Sequence, residues 1–220
     1  MPEKMPRDYS QVRRSYYERR CETAVKALSK RWFDARWFST IDRAVEAVLE
    51  LIPVGSKVGA GGSVTIWESG LLDMLAERGD SLFYHRPDME FEESMAVRKE
   101  AITCPYFLSS SNAITIEGEL LNTDGMGNRV AGMIFGPSTV IVIAGANKLV
   151  ANRDEAIARI RDVAAPANAI RYGLDLPCVK QGRCVDCREP ANICRVTTII
   201  SREPILTDLK VFLVAEPLGF

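Results

Sequence analysis

Thr139-Val140-Ile141-Val142-Ile143-Ala144 is the stretch that decides the fold. All but the last of these residues are β-branched, and none is charged. A strand with one wet face alternates apolar and polar residues. A run that is apolar at consecutive positions instead predicts a central strand of a parallel or mixed sheet, covered by helices on both faces. Outward from it, strands and helices alternate. Residues 33–38 read as a short strand. Ile41, Ala44, Val45, Val48, Leu49 and Ile52 then recur at helical spacing, behind a capping-box pattern of Ser39 and Asp42 and ahead of Pro53. Residues 56–60 read as a strand, and Trp67, Leu71, Met74 and Leu75 mark a second amphipathic helix. Residues 81–84 read as a strand and 89–99 as a helix. Residues 113–116, 119–122 and 129–135 read as short strands between glycine-rich turns. Asn152, with Glu155 at the capping-box position, opens a helix carrying Ile157, Ile160 and Val163, and residues 210–215 form a last strand. This alternation predicts a layered α/β/α domain around a mixed, mostly parallel sheet. It is read as a single domain over residues 1–220, with a basic N-terminal helix at 7–31 and a cysteine-rich insertion at 174–195.

The chain has 220 residues, enough for one domain with a substantial core. Hydrophobic residues make up 47% and charged residues 26%, which excludes a disordered chain. The 28 Lys and Arg are balanced by 29 Asp and Glu, so nucleic-acid binding by a whole basic surface is not expected. No apolar run approaches the ~18–20 residues of a membrane span. The polar start Met1-Pro2-Glu3-Lys4 precedes no signal-peptide core, and a reducing, cytoplasmic location is expected. The basic helix at 7–31 is either a docking surface for an anionic partner or a solvated face.

Three segments carry chemistry. In Val58-Gly59-Ala60-Gly61-Gly62-Ser63-Val64-Thr65 a strand ends, glycines turn the chain and a helix begins. Free backbone amides at such a start, with the hydroxyls of Ser63 and Thr65, suit a small anion. The segment is neither a Walker loop nor a complete dinucleotide fingerprint, and a tight turn that merely needs glycine is the alternative. Glu68, on the helix that follows, points to the same pocket.

The second segment runs from Glu117 to Arg129. On a strand Glu117 and Glu119 share a face, an arrangement that suits acid/base work if both are buried. Gly118 between them is a point where that alignment can break. Asn122, Asp124, Asn128 and Arg129 add a polar set in a glycine-rich loop, read as pocket lining or as a solvated hairpin. Asn147 and Lys148 follow the central strand, where α/β folds place binding residues. His85 is the single histidine and, beside Arg86-Pro87, reads as a surface residue.

The third is Cys178-x5-Cys184-x2-Cys187-x6-Cys194. Four thiolates at this spacing suit an iron–sulfur cluster or tetrahedral zinc, and metal-free thiols remain the third reading. Cys21 and Cys104 stand apart and read as small buried residues.

Together, the glycine loop with Glu68 and Gly70, the segment Glu117-Gly118-Glu119-Leu120 through Asn122, Asp124-Gly125, Gly127-Asn128-Arg129, and Gly145-Ala146-Asn147-Lys148 resemble the LUD-domain family, named for lactate utilisation. The cysteine loop is similar to that of a short, single-domain subgroup. The resemblance implies a fold like sugar-phosphate isomerases, CoA-transferases and folate cyclo-ligases. It also implies a link to lactate oxidation through iron–sulfur protein partners. The ferredoxin-type cluster domains of larger members are absent from this chain. Three readings follow. The first is a small-anion-binding protein of lactate or related organic-acid metabolism. Its ligand would sit on Gly61, Gly62, Ser63, Thr65, Asp124, Asn128, Asn147 and Lys148, with Glu68 or Glu117 as general base if a reaction occurs. The second is an iron–sulfur accessory subunit for electron transfer. The third is a transferase-like enzyme with structural zinc, acting on a phosphorylated or CoA-linked substrate. Whether the chain is an enzyme is left open by the sequence.

Overall fold

The computed structural model describes residues 9–220. The first residues of the expected N-terminal helix, 7 and 8, lie outside them. In chain order the elements begin with α1 (Tyr9–Ser29), β1 (Asp34–Phe38), α2 (Ile41–Leu51), β2 (Lys57–Ala60), α3 (Val64–Glu68), α4 (Leu71–Glu77) and β3 (Ser81–Phe83). They continue with α5 (Phe91–Ala101), β4 (Tyr106–Ser109), β5 (Ala113–Thr115), β6 (Leu120–Asp124), α6 (Asn128–Ile134) and β7 (Thr139–Gly145). A 3-10 turn, Ala146–Lys148, leads to β8 (Leu149–Val150) and α7 (Arg153–Arg159), which passes through a π-helical turn, Ile160–Ala164, into α8 (Ala165–Arg171). The chain closes with α9 (Pro177–Gln181), β9 (Val196–Ile200) and β10 (Asp208–Val214). None of the described helices is long and apolar enough to cross a membrane.

Six strands form one sheet in the order β1-β10-β7-β4-β2-β3, and every neighbouring pair is parallel. The run that defines β7 lies inside it and feeds both faces. Val140, Val142 and Ala144 pack with Cys21, Ala24 and Leu28 of α1. Ile141 and Ile143 pack with Ala44, Val45 and Val48 of α2 and with Leu71 and Leu75 of α4. This two-sided cover is why β7 has no polar alternation. The start of α1 is not held this way: Tyr9, Val12 and Tyr16 remain exposed, and packing on the core begins at Tyr17.

A smaller mixed sheet, β8-β5-β6-β9, lies on the α1 side. Ile114, Leu120, Leu149 and Ile200 join the same core as α1, while Ala113 and Leu121 face Ala156 and Ile160. The two sheets together give the layered α/β arrangement that the sequence predicts.

Three local expectations are corrected. Residues 129–134 of the expected strand 129–135 instead form most of α6, and Phe135 caps it in extended conformation. Gly127 takes a left-handed conformation at φ 81°, and the Asp124 carboxylate accepts from Val130 N at 3.0 Å, which starts a helix. The helix expected through Trp67 and Leu75 is split into α3 and α4 by Gly70 at φ 68°. The first turn of α2 is closed from a distance, because Ile41 N donates to the Glu216 carboxylate at 3.0 Å, and Asp42 with Ser39 forms no capping box.

Because β2, β4 and β7 are adjacent and parallel, the segments leaving them emerge at one edge. Gly62, Ser110 and Lys148 all lie just past those carboxyl ends, where open α/β sheets bind ligands.

Candidate functional site

A cavity of about 330 Å³ opens at this edge. Residues 62–65, Ser110 and Lys148 line it from the main sheet, and Asp124, Asn128 and Arg129 line it from β6 and α6. His85, Arg98 and Tyr172 close the far side, and Ile193 reaches in from the cysteine-rich segment.

Lys148 is buried, 3% exposed. Its Nζ donates to Thr65 Oγ1 at 2.7 Å and to Ser110 Oγ at 3.0 Å. Among the described residues, no carboxylate lies within ion-pair distance of it. Burial pushes its pKa down to about 7, the Arg159 and Arg129 guanidiniums add to this, and Glu68 opposes it more weakly. Arg159 is spent on main-chain carbonyls, those of Asn147 at 3.0 Å and Asn112 at 2.5 Å. Arg98 donates to the Ser94 carbonyl and hydroxyl and likewise has no carboxylate partner among the described residues.

Arg129 differs from both. Its Nε donates to Asp124 Oδ1 at 2.9 Å, and its other nitrogens reach Asn122 Oδ1 at 2.7 Å, Asn112 Oδ1 at 2.8 Å and the Ser110 carbonyl at 3.1 Å. Its charge and its donors are satisfied within the wall of the cavity. Gly61 belongs to this arrangement: a Cβ there would sit 2.9 Å from Arg129 Cγ. Gly61 N is also used, donating to the Leu108 carbonyl at 3.0 Å, and Ile66 N donates to Ser63 Oγ at 3.4 Å. Gly61 therefore seats Arg129 and does not itself line the cavity, whereas Gly62, Ser63 and Thr65 do.

Asn147 holds the chain end. Its side chain accepts from Leu218 N at 3.0 Å and donates to the Leu218 and Gly219 carbonyls at 3.4 and 3.2 Å. It does not line the cavity.

His85 is where the sequence reading most needs correcting. It is 7% exposed, not a surface residue. Its Nε2 has no hydrogen-bond partner among the described residues. The ring lies over Gly62, where a Cβ would come within 2.6 Å of Cε1. Burial pushes its pKa down to about 4, with Arg98 and Arg171 adding to the shift, so the imidazole is neutral at pH 7. The signal was in the register. Phe83 of β3 pairs with Gly59 of β2, so His85 stands level with Gly61 beyond the same sheet edge.

The two candidate bases are elsewhere. Glu117 and Gly118 lie in the turn between β5 and β6, with Gly118 at φ 90° and pressed against α1, where a Cβ would be 2.7 Å from Ala27 C. The turn breaks the shared face. Glu117 is exposed, and Glu119 is buried in an ion pair with Arg153 at 2.6 Å and Arg31 at 3.4 Å. The Arg153 hydrogen bond holds the Glu119 carboxyl below its ordinary range. Glu68 is exposed and accepts from Gly219 N at 3.3 Å. Neither Glu68 nor Glu117 has a position on the cavity.

The cysteine-rich segment does not bring its four thiols into one ligand set. Among the described residues, no group of three or more His, Cys, Asp or Glu side chains is placed to hold a metal ion. Cys178 is buried in α9 against Ala169 and Leu176, Cys184 and Cys187 are half-buried, and Cys194 is exposed. The segment does contribute to the cavity. Ile193 covers Gly125, and Arg195 N donates to the Asp124 carbonyl at 3.0 Å. Cys21 and Cys104 are buried, and burial pushes their thiols up to about 12 and about 11.

The LUD domain family profile matches residues 21–214, spanning both sheets and the whole lining of the cavity except Phe220. The chain belongs to the LUD-domain family. That family is associated with lactate utilisation. The LUD domain is also similar to a crystal structure of a DUF162 family protein from Deinococcus radiodurans, at 13% identity and a TM-score of 0.49, covering 91% of this chain and 98% of that one. A search among curated proteins finds no match.

Proposed function

We propose that this LUD domain binds a small organic anion, in the service of lactate or related 2-hydroxy- and 2-oxo-acid use. The observation that carries the reading is the charge imbalance of the cavity. Among the described residues, Lys148 and Arg98 line it without an acidic side-chain partner, while Asp124, the one acidic side chain in the lining, is spent on Arg129. An unpaired cation held away from water is costly, and a carboxylate or phosphate entering the cavity removes that cost. Gly62, Ser63, Thr65 and Asn128 supply adjacent polar groups, and His85 offers an unspent ring nitrogen.

Thermal melting of the full chain with lactate, pyruvate, sugar phosphates and CoA esters tests this. A compound that binds the folded state raises Tm with concentration. Absence of any shift across the panel would remove the reading.

A second reading keeps the segment 174–195 as an iron–sulfur or zinc carrier in an accessory or transferase-like protein. It is supported by the spacing of Cys178, Cys184, Cys187 and Cys194, and by the thiols of Cys178 and Cys194, which are pushed up first by burial and further by the nearby Cys184 and Cys187.

A further inference from the structure

We propose that Lys148 is an amine nucleophile that forms an imine with the carbonyl carbon of a small 2-oxo acid held in the cavity, an inference that rests on the anion-binding reading above.

The argument begins with the valences of Nζ. The Thr65 hydroxyl lies 3.5 Å from the Leu218 carbonyl, to which it donates, so it offers Nζ a lone pair. Ser110 Oγ is the second acceptor. A neutral amine has two N–H bonds and one lone pair. The two hydroxyls take both N–H bonds, and the lone pair is left unspent on a side chain that lines the cavity. An ammonium would instead carry a third donor with no acidic side chain among the described residues to receive it.

The surroundings favour the amine. The charged groups acting on Nζ are Arg159 from α7, Arg129 from α6 and Glu68 from α3, two cations against one more weakly acting anion. With burial, they bring Lys148 from the ordinary 10.5 down to about 7. At pH 7 its free-amine fraction then exceeds that of an ordinary surface lysine by about a thousandfold. Desolvation and cationic neighbours are the physical means by which a lysine becomes nucleophilic.

The ligand class follows from the rest of the lining. A 2-oxo acid places its carboxylate with Arg98 and the polar groups around Gly62, leaving its carbonyl carbon for Nζ. The amine lone pair forms the C–N bond. The carbonyl oxygen takes the two amine hydrogens and departs as water, and C=N replaces C=O. The Ser110 and Thr65 hydroxyls, already hydrogen-bonded to Nζ, are placed to pass those protons. No oxidant or reductant is consumed.

The full chain incubated with pyruvate and sodium cyanoborohydride tests the step. The hydride fixes the imine as a secondary amine, adding the mass of pyruvate less one water plus two hydrogens. Peptide mapping is expected to place the adduct on Lys148, at least about tenfold above any other lysine. Lactate, which has no carbonyl, is expected to slow the trapping and to leave no adduct. Thr65→Val, which removes one of the two hydroxyls, is expected to reduce trapping while Lys148 is kept. If pyruvate raises Tm but the label is absent from Lys148 or spread over surface lysines, the imine is overturned and the anion-binding reading stands. If no compound of the panel raises Tm and no adduct forms, both fall.

Discussion

Lys148 Nζ lies 2.7 Å from Oγ1 of Thr65, a residue 83 positions earlier in the chain. This one hydrogen bond joins the turn after the central strand β7 to the helix that follows the glycine bend. It exists because β2 and β7 emerge at the same edge of a parallel sheet. The cavity is a consequence of that topology, and Lys148 is its buried base.

Stability is expected to depend on pH through both depressed bases. His85 is near 4 in the folded chain against an ordinary 6.5. Below pH 6.5 the unfolded chain gains a proton that the folded one does not, so stability falls as pH drops toward 4. Lys148 acts by the same sign in another window. Its contribution is fullest above 10.5 and is lost as pH falls through about 7. Urea titrations of wild type and His85→Asn between pH 4 and 7 check the first. The variant is expected to show the flatter profile.

Asp124→Asn is expected to destabilise the fold by about 3–5 kcal/mol, because it leaves the Arg129 guanidinium buried with no carboxylate. The same change weakens the acceptor for Val130 N that starts α6. Chemical denaturation measures the loss. A change under about 0.5 kcal/mol, the range of ordinary surface substitutions, would show that the pair is not structural.

Gly62→Ala is expected to disturb the cavity more than the global fold. The added methyl would meet His85 Cε1 at 2.6 Å, and the side chain must shift into the space a ligand uses. Ligand-induced Tm shifts are expected to fall well below those of wild type, while the melting of the unliganded chain changes by only a few degrees.

The cysteine segment is tested by elemental analysis and the visible spectrum of anaerobically purified protein. A brown sample with iron and sulfide, or stoichiometric zinc, would show that the four thiols gather on metal binding. A colourless sample free of iron and zinc would leave residues 174–195 as a wall of the cavity through Leu174 and Ile193, tied to Asp124 by Arg195 N.

Much of this was written in the sequence. The β7 run announces its double cover because the consecutive positions 140–144 are all apolar. Ser63, Thr65, Asp124, Asn128 and Lys148 could be picked out because residues just past strand ends in α/β folds face ligands. What escaped was decided by tertiary contacts. The segment of α6 carries a short apolar run that fits either period, and only the Asp124 carboxylate on Val130 N resolves it as a helix. Glu117 and Glu119 part company because Gly118 adopts a positive φ to pack on α1. His85 has the composition of a surface residue and the register of a site residue. Cysteine spacing alone did not foresee that Cys178 enters a helix and an apolar cluster.

The most direct test of the central claim is calorimetric titration of pyruvate and lactate into wild-type protein and Lys148→Met, side by side. Replacing a buried lysine that has no acidic partner among the described residues with an apolar side chain of similar length is expected to leave the unliganded fold as stable or more so. Saturable, one-to-one binding by wild type, weakened at least about tenfold in the variant, is the predicted result. Equal affinity in the two proteins, or no binding by either, would contradict it.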